Sequence, residues 1–422
     1  MLLTWSSSQG LNALMNSAEF IAGFADKGSG EVDLTLAKGT GAATFTRATT
    51  ATTVNSAGLI VSVASGTPRS YYDPTTLGYR GYLAEGARTN LCLQSNAFTM
   101  TWTNSVGLAA TQNQTGPDGA TSAWTMTGTG TQTNDQAITL TATTHTASIY
   151  VKKTTGATGF PVLECFASPL TALCTIDTNN GIATVWTAKT GGWTIVTSSA
   201  TCVSAGNFWR VSLTFLATAA SWTFRWYPCT TTNATQSTGS FLGATGTSVC
   251  YGAQLEAGSF ASSYIPTTTA SVTRNADVLT YPFSGNASST VGTAFMQCFF
   301  PAGTFTGGGI NRYLIDFGTN AAPMFLNNAG SLLLFDGTAT RSFSQTFTGA
   351  SSKIATSWGG STSIGSINGG VGSSGFDGDL GATTAITIGD FGGGSSQPFC
   401  TIRNVRIYQT QLSAAQLQAV TA

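Results

Sequence analysis

The sequence predicts an all-β protein of tandem antiparallel β-sandwiches with a small N-terminal attachment region, and three observations carry that reading. Apolar and polar side chains alternate with period two through the middle of the chain, helical spacing is confined to the two ends, and 50 of the 422 residues are glycine. Period two sends successive side chains to opposite faces of a strand, one for a core and one for solvent. Many short strands separated by Gly, Thr and Ser turns build sandwiches or barrels.

Near the start, Leu11, Leu14, Met15 and Ala18 follow i, i+3, i+4, i+7 spacing. This predicts an amphipathic helix that packs on its own domain, with an oligomer contact as the alternative. Residues 1–90 are expected to form the attachment and oligomerisation region, and residues 91–270 a sandwich holding most of the Trp-bearing strands. There, Trp209, Val211, Leu213 and Phe215 share one face while Arg210, Ser212 and Thr214 share the other. Trp222, Phe224 and Trp226 repeat the pattern, as do Val249, Tyr251, Ala253 and Leu255. Pro266 stops a strand and the polar residues after it read as a linker. A third unit over 275–422 has strand candidates at 294–300, 313–317, 332–335, 354–358, 385–388 and 401–408. Ser413 and Gln416 then compose a capping box, with Leu412 and Leu417 as a hydrophobic staple, for a helix over 414–420.

Lys+Arg and Asp+Glu number 17 each, and charged residues are 8% of the chain, against roughly 25% in ordinary globular proteins. So few cations leave counterion release little to act through, which argues against nucleic acid as a partner. A hydrophobic fraction of 41% with 10% aromatics separates the chain from disordered sequences. No run reaches the roughly 18 apolar residues of a membrane span, and the N-terminal residues lack the basic and apolar regions of a secretory signal. Neither membrane insertion nor export is expected. The eight cysteines lack C-x-x-C spacing and are expected as mostly free, buried thiols, with Cys165 and Cys174 placed to face each other across a hairpin.

Proton-transfer chemistry has little to build on. His145 is the single histidine, expected at the surface or a strand end, and no orienting partner surrounds it. Nucleophile elbow, P-loop and dinucleotide fingerprint are all missing. Glycan cleavage needs only two carboxylates, for which Asp377 with Asp379, or Glu164 with Asp177, are the candidate pairs. Asp between glycines more simply caps its own loop, so no catalytic residue is assigned. Calcium would draw on Asp316, Asp336, Asp377, Asp379 or Asp390, but EF-hand spacing is lacking and no metal or other cofactor is expected. Trp209, Trp222 and Trp226 are assigned to the core. Trp102, Trp124, Trp186 and Trp193 lie in polar Thr/Gly-rich settings and are the candidate platforms for stacking sugar rings.

A resemblance sharpens this. Phe45-Thr-Arg47, Asn55-Ser-Ala-Gly-Leu-Ile60, Pro68-Arg69-Ser-Tyr-Tyr-Asp-Pro74 and Arg80-Gly-Tyr-Leu-Ala-Glu85-Gly-Ala-Arg88-Thr-Asn90 occur in that order. Ser95-Asn-Ala-Phe98, Trp102, Tyr251-Gly-Ala-Gln254-Leu-Glu256-Ala-Gly258, Ser263-Tyr-Ile-Pro-Thr267 and Thr273-Arg-Asn-Ala-Asp277 follow. Together they resemble bacteriophage virion proteins of the fibre, tail and head-appendage type, over roughly residues 40–280. The middle zone is similar to carbohydrate-binding-module-like jelly rolls. The last zone, with Ile402-Arg-Asn-Val-Arg-Ile-Tyr408 and Leu412-Ser-Ala-Ala-Gln-Leu417, resembles a laminin-G or concanavalin-A-like sandwich.

The resemblance implies a non-enzymatic structural and adhesive virion component that binds host-surface glycans. It also implies a homotrimer, with a dimer or a monomer clipped onto a capsid as the alternatives, and contacts with other virion proteins of tail, portal or capsid. A capsid decoration protein without receptor role and a tail-associated polysaccharide depolymerase are the alternatives. The motif residues read as structural: Arg69, Arg80 and Arg88 with Asp73 and Glu85 concentrate scarce charge into a lock between domains or subunits. Asn90 belongs with them, and Gln254 and Glu256 are expected to tie strand ends to the linker.

Overall fold

The structure, a computed structural model, describes residues 8–155, 159–231, 238–239, 244–300, 311–318, 321–347, 351–381, 383–391 and 397–422. It is 53% strand and 4% helix in several antiparallel sheets, the all-β class that the alternation predicts. Strands form where the third unit was expected to hold them: Gly292–Phe299, Arg312–Asp316, Ser331–Phe335, Ser351–Gly359, Ala385–Ile388 and Cys400–Tyr408. They belong to a nine-stranded and a seven-stranded sheet that share one core, with Met296, Leu314, Met324, Ile354, Ile388 and Ile402 buried between them.

The boundary drawn at residue 90 does not separate sheets. Phe20–Ala22 and Tyr79–Ala84 both pair with Cys400–Tyr408, and Thr44–Thr46 pairs with Val278–Pro282. The cause is hydrophobic: Phe20 and Tyr82 are fully buried in the C-terminal core, Phe20 edge-on to Tyr281 at 5.1 Å. Close approach fixes the register at Gly81, whose φ is +107° and where a Cβ would lie 2.1 Å from the Ile402 carbonyl oxygen. The N-terminal helix Ser8–Asn16 packs in the same unit, its Leu14 clustering with Phe295, Tyr408 and Leu417. At the other end Ser413 and Gln416 make both bonds of the capping box on the helix Ala414–Thr421, and Leu412 and Leu417 are buried together.

The middle sandwich is therefore an insertion. The chain leaves the terminal unit through Arg88–Asn90 and returns through Val272–Arg274, and these two strands pair antiparallel. Between them a six-stranded sheet and a seven-stranded sheet enclose a second core. Val211, Leu213 and Phe215 face it from one side and Trp222, Phe224 and Trp226 from the other, as the alternation requires. Trp209 packs against that core half-buried.

One alternating segment departs from its expected phase. In the strand Ala244–Ala257, Cys250, Ala253 and Leu255 point into the core, while Val249 and Tyr251 join a separate cluster on the outer face. The pairing with Thr144–Lys152 shifts register between Ser148 and Tyr150, and Gly252 sits opposite the shift with φ +63°. An extra residue on one strand reverses which parity faces inward. Here it aims Tyr251 outward beside Tyr150, at 5.9 Å, and Tyr264, at 5.4 Å.

Candidate binding cleft

The buried charges assemble at the junction of the two units. Arg69 donates to Thr52 O at 2.7 Å, Glu85 Oε2 at 2.9 Å and Ser263 Oγ at 3.0 Å, and also to Asp277. Arg274 reaches the same Glu85 oxygen at 2.7 Å, and Arg47 donates to Asp277 Oδ1 at 2.9 Å. Burial alone would raise the Glu85 carboxyl, but Arg274 and Arg69, with the Ser263 hydroxyl and amide, outweigh it and hold the pKa at about 2. Five charged side chains from four chain segments thus fix the N-terminal segment, the inserted sandwich and the return strand against one another.

The sequence-derived cluster divides in space. Glu85 and Arg69 belong to this knot; Asp73 and Arg80 do not, pairing with each other at 3.0 Å in a partly exposed position. There Asp73 also accepts the Thr75 and Thr76 amides, which hold its carboxyl below the usual range against the opposing effect of burial. Arg88 lies between Phe260 and Phe399, 5.0 and 4.8 Å from their ring centres, with Glu256 3.7 Å away. Asn90, fully buried, donates to Ala253 O and Ile265 O and accepts from the Cys92 and Leu255 amides. Gln254 donates to Glu256 Oε1 at 2.6 Å and accepts from the Ile265 amide at 2.7 Å, while Glu256 takes the Ser262 amide and hydroxyl. Arg47, Arg274 and Asp277 complete the knot although sequence reasoning gave them no role; their signal was the scarcity of charge, since an ion in so neutral a chain has a partner to meet.

Three of the four proposed sugar platforms are not platforms. Trp102, Trp124 and Trp186 are 5%, 7% and 0% exposed. Their indole N–H groups donate to Leu93 and Gln94 carbonyls, to Asn96 O and to Thr175 Oγ1. In the strand Ala123–Gly130 the neighbours of Trp124 project to the other face, while Trp102 and Trp186 sit just outside strands and turn inward from polar segments. Trp193 alone stays half-exposed, with Lys189 Nζ 4.5 Å above its ring and Phe166 edge-on. His145 lies at a strand end, second in Thr144–Lys152, but is buried rather than at the surface: its Nδ1 is 3.0 Å from Thr143 O, and burial lowers its pKa. Neither candidate carboxylate pair forms a facing couple. Glu164 is bonded to Lys189, Thr171 and Tyr227, Asp177 caps a turn through Asn179 and Asn180, and Asp377 and Asp379 accept amides of their own loop. All eight cysteines are free thiols, and Cys165 stands opposite Ala172 rather than Cys174. Among the described residues no group of three or more His, Cys, Asp and Glu side chains is placed to hold a metal ion, and no helix is long and apolar enough to cross a membrane.

A concave feature of the fold lies elsewhere. The outer face of the six-stranded sheet is roofed by the hairpin Ala51–Val54 and Ile60–Val63, which docks through Ile60 N to Pro117 O at 2.9 Å and Thr52 to the Tyr264 carbonyl at 2.5 Å. The cleft between them holds about 150 Å³ of open space, roughly ten times what one ordered water needs and enough for a sugar ring with its hydroxyls. Its floor carries Tyr150, Arg210, Ser212 and Thr214, with Thr201 and Val203 from the edge strand. Tyr71, Pro74, Phe260, Tyr264 and Phe399 also line it. Burial pushes the Tyr71, Tyr150 and Tyr264 phenols up, so they stay neutral, and the Tyr264 hydroxyl is engaged with Ser95 Oγ at 2.7 Å. Thr75 Oγ1 bonds Ser204 Oγ at 2.7 Å, tying the turn after Pro74 to the edge strand Ser198–Ala205. Alternation had put Arg210, Ser212 and Thr214 on the polar face; nothing local says that a hairpin 150 residues away covers it.

No family model matches this chain and no curated protein matches it. Among solved structures it is similar to the CBM40 domain of the Ruminococcus gnavus IT-sialidase, at 17% identity, over 34% of this chain and 92% of that one, with a TM-score of 0.28. Domain 4 of a Geobacillus stearothermophilus extracellular arabinanase, solved with arabinotriose, matches at 14% identity over 39% of this chain and 82% of that one, TM-score 0.27. Domains LG4-5 of the mouse laminin alpha1 chain match at 10% identity over 80% of this chain and 91% of theirs, TM-score 0.22. These neighbours are jelly-roll carbohydrate-binding-module and laminin-G β-sandwich domains.

Proposed function

We propose that this chain is a non-catalytic adhesive protein that binds saccharide in the cleft between the N-terminal hairpin and the inserted sandwich. One observation carries the reading: neutral phenols, aromatic walls and a floor of Ser and Thr hydroxyls converge on a space of sugar-ring size. Aromatic faces take the apolar faces of a pyranose, and hydroxyls exchange hydrogen bonds with its hydroxyls. The separate engagement of Glu164, Asp177, Asp377 and Asp379 supports binding without turnover. The resemblance of the ordered motifs to bacteriophage fibre, tail and head-appendage proteins supports a place on the virion, with other virion proteins and further copies of the chain as partners, in trimeric form by that resemblance.

Binding of the intact chain to a glycan array, alongside reducing-end release from the polysaccharides that bind, tests the reading. Saturable binding that Thr201→Trp abolishes, without release of reducing ends, is the expected result. Release of reducing ends would make the protein a depolymerase. Absence of binding to any saccharide would leave the decoration role, and the fractionation of particles into heads and tails would then place the chain.

A further inference from the structure

Arg210 is the cation of the cleft that has no counter-ion. Its Nη2 donates to Ser148 Oγ at a long 3.3 Å, its buried Nε has no hydrogen-bond partner, and its guanidinium stands 5.2 Å from the Tyr150 ring centre. Among the described residues no carboxylate lies within ion-pair distance of it. The carboxylate that does line the cleft, Glu85, is saturated by Arg69, Arg274 and Ser263. Lys153 Nζ donates to Ser204 Oγ, a cleft-lining hydroxyl, at 2.6 Å, and among the described residues it too has no carboxylate within ion-pair distance. In a chain where charge is scarce and each junction arginine meets a carboxylate, the Arg210 guanidinium lines the hollow without one. A ligand anion would complete it, and the planar fork of arginine matches a carboxylate or sulfate in two parallel bonds.

We propose that the cleft selects acidic saccharides, the anionic group of one sugar unit pairing with Arg210 while the ring packs among Tyr71, Tyr150 and the threonine hydroxyls. This deepens the saccharide-binding reading and rests on it. The anion is a carboxylate of a uronic acid or a sulfate ester, and the two are told apart by the ligand series.

Titration calorimetry of the intact chain with oligogalacturonate, its methyl ester, a sulfated galactan oligomer and the desulfated oligomer is the test. One of the two charged oligomers should bind at least about tenfold more tightly than its neutral counterpart, the factor that a charge-assisted pair supplies. Rising salt should narrow that preference. Arg210→Gln should erase it, and Arg210→Lys should retain part of it by keeping the charge without the fork; thermal unfolding of both variants confirms that they are folded. Equal affinity for charged and neutral oligomers, with Thr201→Trp still blocking both, would overturn the acidic preference and leave saccharide binding standing. No affinity for any of the four, with the glycan array also silent, would remove both.

Discussion

The Arg69 guanidinium donates to the Glu85 carboxylate at 2.9 Å with both side chains out of water, 0% and 7% exposed. The pair joins two segments of the terminal unit, and through Ser263 it reaches the inserted sandwich. Removing one member of a buried charge network strands the others, so Arg69→Ala should lose about 3–5 kcal/mol of unfolding free energy. Arg80→Ala removes a pair that is 30% and 20% exposed and should lose about 1 kcal/mol or less. Denaturant unfolding of the two variants checks this, and equal losses would mean that the junction knot is not what holds the units together.

The same carboxylate sets an acid limit. Glu85 titrates near 2 in the folded chain against 4.5 ordinarily, so folding is favoured by its ionised form. That contribution is complete above the unfolded value and fades as pH falls from about 4.5 towards 2, a total of about 3 kcal/mol. Wild-type stability should drop steeply through this window, whereas Glu85→Gln, less stable at neutral pH, should show a flatter acid limb.

Asp316 works in the opposite direction. Burial lifts its carboxyl to about 7; the Gly318 amide opposes the shift and nearby Asp390 adds to it, while Oδ1 has no hydrogen-bond partner. A folded-state value above the unfolded 3.8 means stability is complete below that value and is lost as pH rises through 7. Asp316→Asn should therefore raise the melting temperature at pH 8 more than at pH 5. An equal effect at both would show that the carboxyl is not buried in its neutral form.

Sequence made one side of each strand readable and left its covering unreadable. Trp222, Phe224 and Trp226 could be placed in the core because period two is a local property of the chain. The capping box of Ser413 and Gln416 was legible for the same reason. Trp102, Trp124 and Trp186 were not legible as core residues, because polar neighbours along the chain do not report whether a ring is exposed. The Gly252 bulge, which turns Tyr251 outward, leaves a strand pattern apparently unbroken. Least legible was the cleft, since its floor and roof meet only when residues near 52 pack over residues near 210, and no local period encodes that contact. The charge motifs announced a lock, but not that Asp73 and Arg80 stand outside it or that Asp277 and Arg274 close it.

Gly81 offers the most direct check that the N-terminal segment belongs to the C-terminal sandwich. Alanine there meets two obstacles: a φ of +107°, and backbone, with a Cβ 2.1 Å from the Ile402 oxygen and 2.8 Å from Arg403 Cα. Neither neighbour is a flexible side chain, so the strand pair itself has to part. Gly66, at φ +70° with nothing within 4 Å of its Cβ, carries the conformational strain without the collision. Gly66→Ala should cost about 1 kcal/mol and Gly81→Ala clearly more than about 2 kcal/mol. Limited proteolysis should then cut the 47–80 segment of the Gly81 variant well before that of the Gly66 variant. If the two variants unfold and cleave alike, Tyr79–Ala84 is not paired with Cys400–Tyr408 in solution, and the inserted topology of the middle sandwich falls with that pairing.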